Sequence, residues 1–166
     1  MAYYFAYGSN MNPARVVARI GETRRAVHGW LQEHRLSFDK ASRVEGIAHA
    51  NVQPAPGERV EGVLYELLEA EQITLMDPFE GRPHEYERFL HPIVTREGVI
   101  DAWVYVALPE RTAEGLKPAR EYLEHLLGGR DFLTPDYFTA LSGVEAVHAL
   151  DDATLAQLGL SRTTPR

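Results

Sequence analysis

A short aromatic run, Tyr3-Tyr4-Phe5-Ala6-Tyr7, stops abruptly at Gly8-Ser9-Asn10, and a helix-like pattern starts within two residues at Asn12-Pro13. The run reads as a buried strand because aromatic side chains suit a pleated, half-buried surface. Asn12 can cap the free N–H groups of a helix and Pro13 fits its first position. Val16, Val17 and Ile20 give that helix an apolar face, and Gly21 marks its end. The chain is therefore committed early to a strand, a tight corner and a helix. A corner of this kind turns backbone N–H groups outward beside the positive end of a helix dipole, where a carboxylate or a developing oxyanion is favoured. From spacing alone, a plain chain reversal at Gly8, Ser9 and Asn10 is the more economical reading.

Strand-like runs continue to about residue 108. Residues 46–52 and 59–67 flank Gln53-Pro54-Ala55-Pro56-Gly57-Glu58, whose prolines cannot donate to a ladder, so the two runs are expected to pair as a hairpin around a long loop. Residues 24–42 show no clear period apart from a short strand at Arg35-Leu36-Ser37-Phe38. Residues 69–76 carry helical spacing, with Ile73 and Met76 on one side, and Pro78 is expected to end that helix. Residues 86–95 and 99–108, joined by Arg96-Glu97-Gly98, form a second hairpin. In its second arm Ile100, Ala102, Val104 and Val106 alternate with Asp101, Trp103 and Tyr105, the pattern of a half-exposed strand.

The last third is helical: residues 118–127, then a helix opened by Thr134-Pro135 and closed at Gly143, then a short one after Asp151, with a frayed tail at 161–166. Strands followed by helices indicate an α+β fold, here a small mixed β-barrel with flanking helices. A single domain spans 1–166, with a core over about 1–143 and a helical C-terminal extension over 144–166.

A chain of 166 residues suits one domain, and 45% hydrophobic with 25% charged residues is a globular composition. The formal charge of -7 opposes binding to phosphate backbones, and no basic cluster interleaved with aromatics reverses it locally, so nucleic acid is not an expected partner. The absence of cysteine excludes disulfides, thiolate metal sites and a cysteine nucleophile. No segment approaches the roughly 20 apolar residues of a membrane span, and no signal sequence is evident, so a cytoplasmic protein is expected. The composition fits a monomer or a homodimer.

Among the seven histidines there is no HExxH pair, and neither a GxGxxG nor a GxxxxGK[ST] loop occurs, so neither a metal nor a nucleotide cofactor is expected. Ser9 sits on a strand-to-helix corner but lacks the GxSxG context of a nucleophile elbow, which leaves a serine hydrolase as a minor alternative. The densest chemical stretch is Leu75-Met76-Asp77-Pro78-Phe79-Glu80-Gly81-Arg82-Pro83-His84-Glu85-Tyr86-Glu87-Arg88-Phe89, expected in a loop between helix and strand. Any one of Asp77, Glu80, Glu85 and Glu87, if desolvated among these aromatics, would have its pKa raised toward the range of a general base. Sequence alone does not choose among them.

Three segments together, Tyr4-Phe5-Ala6-Tyr7-Gly8-Ser9-Asn10-Met11, the region from Val60 to Phe89 containing Asp77-Pro78-Phe79-Glu80-Gly81, and the region from Arg120 to Leu141, resemble the gamma-glutamylcyclotransferases and their gamma-glutamylamine-directed relatives. The resemblance runs in order from about Tyr3 to about Leu141. It implies a small mixed barrel and an intramolecular reaction. The α-amine of a gamma-glutamyl group attacks its own gamma-carbonyl, releasing 5-oxoproline and an amine without metal or cofactor. It further implies that Glu80 is the catalytic acid and base. Tyr7, Gly8, Ser9 and Asn10 would hold the glutamyl end, and Tyr86 and Tyr122 would line the cavity. Arg82 follows Glu80-Gly81 where the family commonly differs, and is expected to influence which leaving group fits. A non-catalytic barrel that binds the same small ligand is the competing expectation.

Overall fold

The computed structural model describes residues 1–160. Six strands, β1 (Tyr3–Ala6), β2 (Arg25–Ala41), β3 (Ile47–Glu66), β4 (Tyr86–Thr95), β5 (Gly98–Ala107) and β6 (Lys117–Pro118), form one sheet. β1 pairs antiparallel with β3, with Phe5 opposite Leu64, and parallel with β5, with Tyr4 opposite Trp103. β5 then pairs with β4, β4 with β2 through Trp30 and Val94, and β2 with β3. The circuit β1-β5-β4-β2-β3-β1 closes a five-stranded mixed barrel, and β6 attaches to the start of β3 outside it. The expected α+β barrel is what the chain forms. Closure removes the open edges that a small sheet would otherwise expose to pairing with other chains.

Two expectations about strands are corrected. Residues 24–42 form one 17-residue strand, and the runs at 46–52 and 59–67 are two halves of β3 rather than the arms of a hairpin. Both halves pair with β2: Ala48 to Pro54 lie opposite Ala41 to His34, and Arg59 to Glu66 opposite Gln32 to Arg25. The prolines are tolerated because the register slips between Gln32 and His34, so that residues 55–58 bulge opposite Glu33 alone. Glu33, at φ 62°, accepts the Gly57 N–H at 3.1 Å and closes the bulge.

Among the described residues five α-helices flank the barrel: α1 (Pro13–Ile20), α2 (Ile73–Glu80), α3 (Arg120–Leu127), α4 (Pro135–Ser142) and α5 (Asp152–Gln157). α1 begins as expected, with Asn12 Oδ1 accepting the Ala14 N–H and Pro13 at the first position. Val16 and Ile20 are buried while Val17 stays exposed. Thr134 and Asp151 cap α4 and α5 with their side chains. Pro78 does not end α2. It lies in the last turn, and Gly81, left-handed at φ 68°, ends the helix with its N–H on the Pro78 carbonyl. Glu80 is therefore the last helical residue and not part of a loop.

Residues 144–151 are not helical. They run beside Pro118–Arg120, where Val147 N donates to Pro118 O and Arg120 N to Val147 O, before α5 buries Leu155. The expected frayed tail, 161–166, lies outside the described residues. No helix among them is long and apolar enough to cross a membrane.

Candidate active site

The strand-to-helix corner is a single 3-10 turn, Ser9–Met11, closed by Met11 N donating to Gly8 O at 2.9 Å. Side chains hold it from several directions. Asn10 Nδ2 donates to the Tyr4 hydroxyl at 2.8 Å, and the Tyr65 hydroxyl donates to Asn10 O at 2.7 Å. Asn10, 3% exposed, is thus committed to fixing the turn. Ser9 Oγ accepts from Arg15 Nε at 3.2 Å. No acceptor among the described residues takes the N–H groups of Gly8, Ser9 and Asn10. Gly8 is at φ -112°, so its role is space: an added Cβ would sit 3.0 Å from the Tyr122 hydroxyl and 3.3 Å from Ala50 Cβ.

The four carboxylates of the acidic stretch separate by their partners. Asp77 accepts from Arg88 Nε at 2.9 Å and from the Tyr105 hydroxyl at 2.6 Å. Burial pushes its carboxyl up, but those hydrogen bonds prevail and hold it below the ordinary range. Glu85 accepts from Lys40 Nζ at 2.6 Å, which lowers its pKa. Glu87 pairs with Arg82 and takes the Arg88 N–H. Glu80 alone has no hydrogen bond or ion pair among the described residues. Burial pushes its carboxyl up, against the opposing pull of Arg19, Arg15 and Lys40. Arg82, expected to influence which leaving group fits, pairs with Glu87 and Asp77 and lines neither cavity described below.

Glu80 and the corner meet. A recess of about 30 Å³ is lined by residues 4–10 together with Ala50, Glu80, Tyr86, Tyr105 and Tyr122. It has room for one small polar group, such as a carbonyl oxygen or part of a carboxylate. All seven residues singled out from the sequence therefore border one cavity, although they come from the β1–α1 corner, α2, β4 and α3. Ala50 and Tyr105 are further wall residues that the sequence did not mark for the site, and Tyr4, read there as part of the aromatic strand, is another.

The tyrosines differ in what their hydroxyls can still do. Tyr7 donates to Tyr105 O at 2.6 Å and Tyr86 to Ala50 O at 2.7 Å, so both protons are used. The Tyr122 hydroxyl accepts from Ala50 N at 2.9 Å, and its own proton has no acceptor among the described residues. Burial raises its pKa to about 12, so it stays a donor.

Glu80, Ser9, Tyr86 and Tyr122 also border a larger vestibule of about 700 Å³, which leads out between α1, the end of β2 and α5. Arg15 and Arg19 line it, one turn apart on α1; the spacing was legible, but not the side of the helix that would face the site. No group of three or more potential metal ligands occurs among the described residues.

A protein-family model described as gamma-glutamyl cyclotransferase, AIG2-like, matches residues 4–124. No curated protein matches the sequence significantly. Among solved structures, one titled gamma-glutamyl cyclotransferase is 22% identical with a TM-score of 0.72, over 88% of this chain and 89% of that one. An uncharacterized human protein is 23% identical with a TM-score of 0.75, over 90% and 91%. A yeast gamma-glutamyl cyclotransferase specific to glutathione is 13% identical with a TM-score of 0.57, over 84% and 93%. At these identities the likeness is one of fold.

Proposed function

We propose that this chain, which belongs to the gamma-glutamyl cyclotransferase, AIG2-like family, catalyses the cyclisation of a gamma-glutamyl donor to 5-oxoproline with Glu80 as acid and base. The observation that carries the reading is the isolation of Glu80. It is the one carboxylate of its stretch without a partner among the described residues, and it borders the same recess as Gly8, Ser9 and Asn10, whose N–H groups have no acceptor among those residues.

The chemistry follows from that placement. The donor's α-amino group, with a reference pKa of about 7.7 to 8.0, must lose a proton before it can attack. Glu80 takes it, and a carboxyl raised by burial is closer in pKa to that amine than an exposed one. The α-nitrogen bonds to the gamma-carbonyl carbon, and charge develops on the carbonyl oxygen. The N–H groups of the corner and the Tyr122 hydroxyl are fixed donors for it, held by Asn10, Tyr65 and Ala50 before the substrate arrives. The protonated Glu80 returns its proton to the leaving nitrogen as the old C–N bond breaks, and the attacking nitrogen, still carrying two hydrogens, loses its second proton through the freed carboxylate to solvent, giving 5-oxoproline and a free amine. Nucleophile and electrophile belong to one molecule, so the site has only to curl the chain and relay protons from the attacking nitrogen. Ser9 is a poor nucleophile here, since its hydroxyl is bound by the guanidinium of Arg15, which cannot act as a base.

The test is to incubate the purified protein with a panel of gamma-glutamyl amino acids, peptides and amines, measuring 5-oxoproline and released amine. Equimolar release from at least one donor supports the reading. Calorimetric binding of donors with no 5-oxoproline would replace it with the non-catalytic barrel.

A further inference from the structure

One titratable group on the vestibule wall, His49, has no hydrogen-bonding duty. It is half-buried on β3, and its ring packs against the Tyr122 ring with centroids 5.1 Å apart. Neither ring nitrogen has a hydrogen bond among the described residues. Burial, helped by Lys40, Arg15 and Arg19, holds its pKa down to about 4, so at neutral pH one ring nitrogen is a bare lone pair. Other acceptors around this space are taken or exposed. Ser9 Oγ accepts from Arg15, Ser42 Oγ from Val44 N, and Glu85 from Lys40 and Arg111. Glu110 and Gln157 lie on the exposed rim.

Glu80 and Tyr122 border both the recess and this space, so the donor atoms beyond the attacked carbonyl enter the vestibule, beginning with the scissile nitrogen. We infer that His49 touches the substrate there: its imidazole accepts a hydrogen bond from the scissile N–H and so turns the lone pair of that nitrogen toward Glu80. Donors methylated at the scissile nitrogen are disfavoured as a consequence. This rests on the cyclisation reading given above and adds to it a residue that orients the leaving nitrogen. In the tetrahedral intermediate that nitrogen is pyramidal, and it can take the proton of Glu80 only while its lone pair faces the carboxyl. An acceptor fixed on its N–H selects that orientation before the bond breaks. The hydrogen bond strengthens as the nitrogen gains its proton, because a charged nitrogen is the stronger donor, so the contact favours the rate and not binding alone.

The experiment is a cycle of two donors and three proteins. Gamma-glutamyl-glycine and gamma-glutamyl-sarcosine differ only at the scissile nitrogen, where the second carries a methyl group in place of hydrogen. If the wild type uses another donor of the panel better, that donor and its N-methyl counterpart take their place. The proteins are the wild type, His49→Ala, and His49→Phe, which keeps a ring against Tyr122 without an acceptor; each variant is checked for folding by its thermal melt. Both variants should lose about fivefold in kcat on the N–H donor, the size of one neutral hydrogen bond, and little on the N-methyl donor. The wild-type preference for the N–H donor should therefore shrink about fivefold. That ratio is the informative quantity, because a change in the pKa of Glu80 or a general loosening of the site acts on both donors alike. A ratio that the variants leave unchanged, including an N-methyl donor that no protein turns over, assigns the preference to space around the nitrogen and overturns the inference. Equal slowing of both donors places His49 against the glutamyl half and also overturns it. The cyclisation reading survives either result. No 5-oxoproline from any donor removes that reading, and the inference falls with it.

Discussion

Replacing Gly8 by alanine tests whether the corner works through the space left by its missing side chain. The new Cβ would stand 3.0 Å from the Tyr122 hydroxyl oxygen and 3.3 Å from Ala50 Cβ, each a few tenths of an ångström inside ordinary contact. Neither neighbour yields easily, since Tyr122 is 6% exposed and its hydroxyl holds Ala50 N at 2.9 Å. Overpacking of this kind costs about 1–3 kcal/mol. Tyr122→Phe alone should cost a comparable amount, about 1–3 kcal/mol, because Ala50 N loses its buried acceptor. In the double variant the phenylalanine removes the oxygen that the new methyl group strikes. Its cost should therefore fall below the sum of the single costs by about 1 kcal/mol, measured by urea unfolding of the wild type and three variants. Additivity to within about 0.5 kcal/mol would show that the two sites do not touch as described. Activity should follow the same geometry, with Ser9→Ala retaining most of the rate and Gly8→Val, still folded, losing about 100-fold or more.

Glu80→Gln should stabilise the fold at neutral pH. Folded Glu80 keeps its proton to higher pH than the unfolded chain does, so its charge weakens the fold as pH rises through the folded value. The gain in melting temperature should therefore vanish below the unfolded value of about 4.3, and a gain that persists there would contradict the burial argument. His49 and His125 are both depressed to about 4, chiefly by burial. Each favours the folded state fully above the unfolded value near 6.5, and that contribution drains away as pH falls toward 4. His49→Gln should flatten the decline in stability over that window, and an unchanged slope would refute it. Thr134 both caps α4 and donates to buried Glu61, at 2.8 Å from its N–H and 2.7 Å from its hydroxyl. Thr134→Ala should cost about 2 kcal/mol or more in urea unfolding, against about 1 kcal/mol for Asp151→Ala, an exposed cap without such a duty.

The β1–α1 corner was legible because every signal in it is local: an aromatic strand, an Asn-Pro start and a glycine stop. The long strands were less so. In β2 the register shifts between Gln32 and His34 and again between Ser37 and Lys40, which breaks the alternation on which a strand is recognised. In β3 the prolines at 54 and 56 looked like the end of a ladder, but they lie at and within a bulge that absorbs them. Pro78 misled in the same way, because a proline in the last turn of a short helix removes little of its hydrogen bonding.

The carboxylates show the deeper limit. Asp77, Glu80, Glu85 and Glu87 are equivalent in sequence, and only their partners in the fold, some from the same stretch and some brought from afar, distinguish them. Lys40, from β2, takes Glu85, and Tyr105, from β5, takes Asp77. Family resemblance pointed to Glu80, and the fold pairs the other three while leaving Glu80 without a partner among the described residues. The charge of the vestibule was equally hidden, since the two α1 arginines come to line one cavity with the end of β2 only when the barrel closes.

The most direct measurement is the rate of 5-oxoproline formation, from whichever donor the wild type uses best, by Asp77→Asn, Glu80→Gln, Glu85→Gln and Glu87→Gln side by side, each with its thermal melt. Loss of a general acid and base typically costs about 100- to 10,000-fold. Glu80→Gln should show a loss of that order while remaining folded, and the other three should lose rate only as far as they lose stability. A folded Glu80→Gln that keeps full activity, or a stable variant at one of the other three positions that loses as much, would contradict the account.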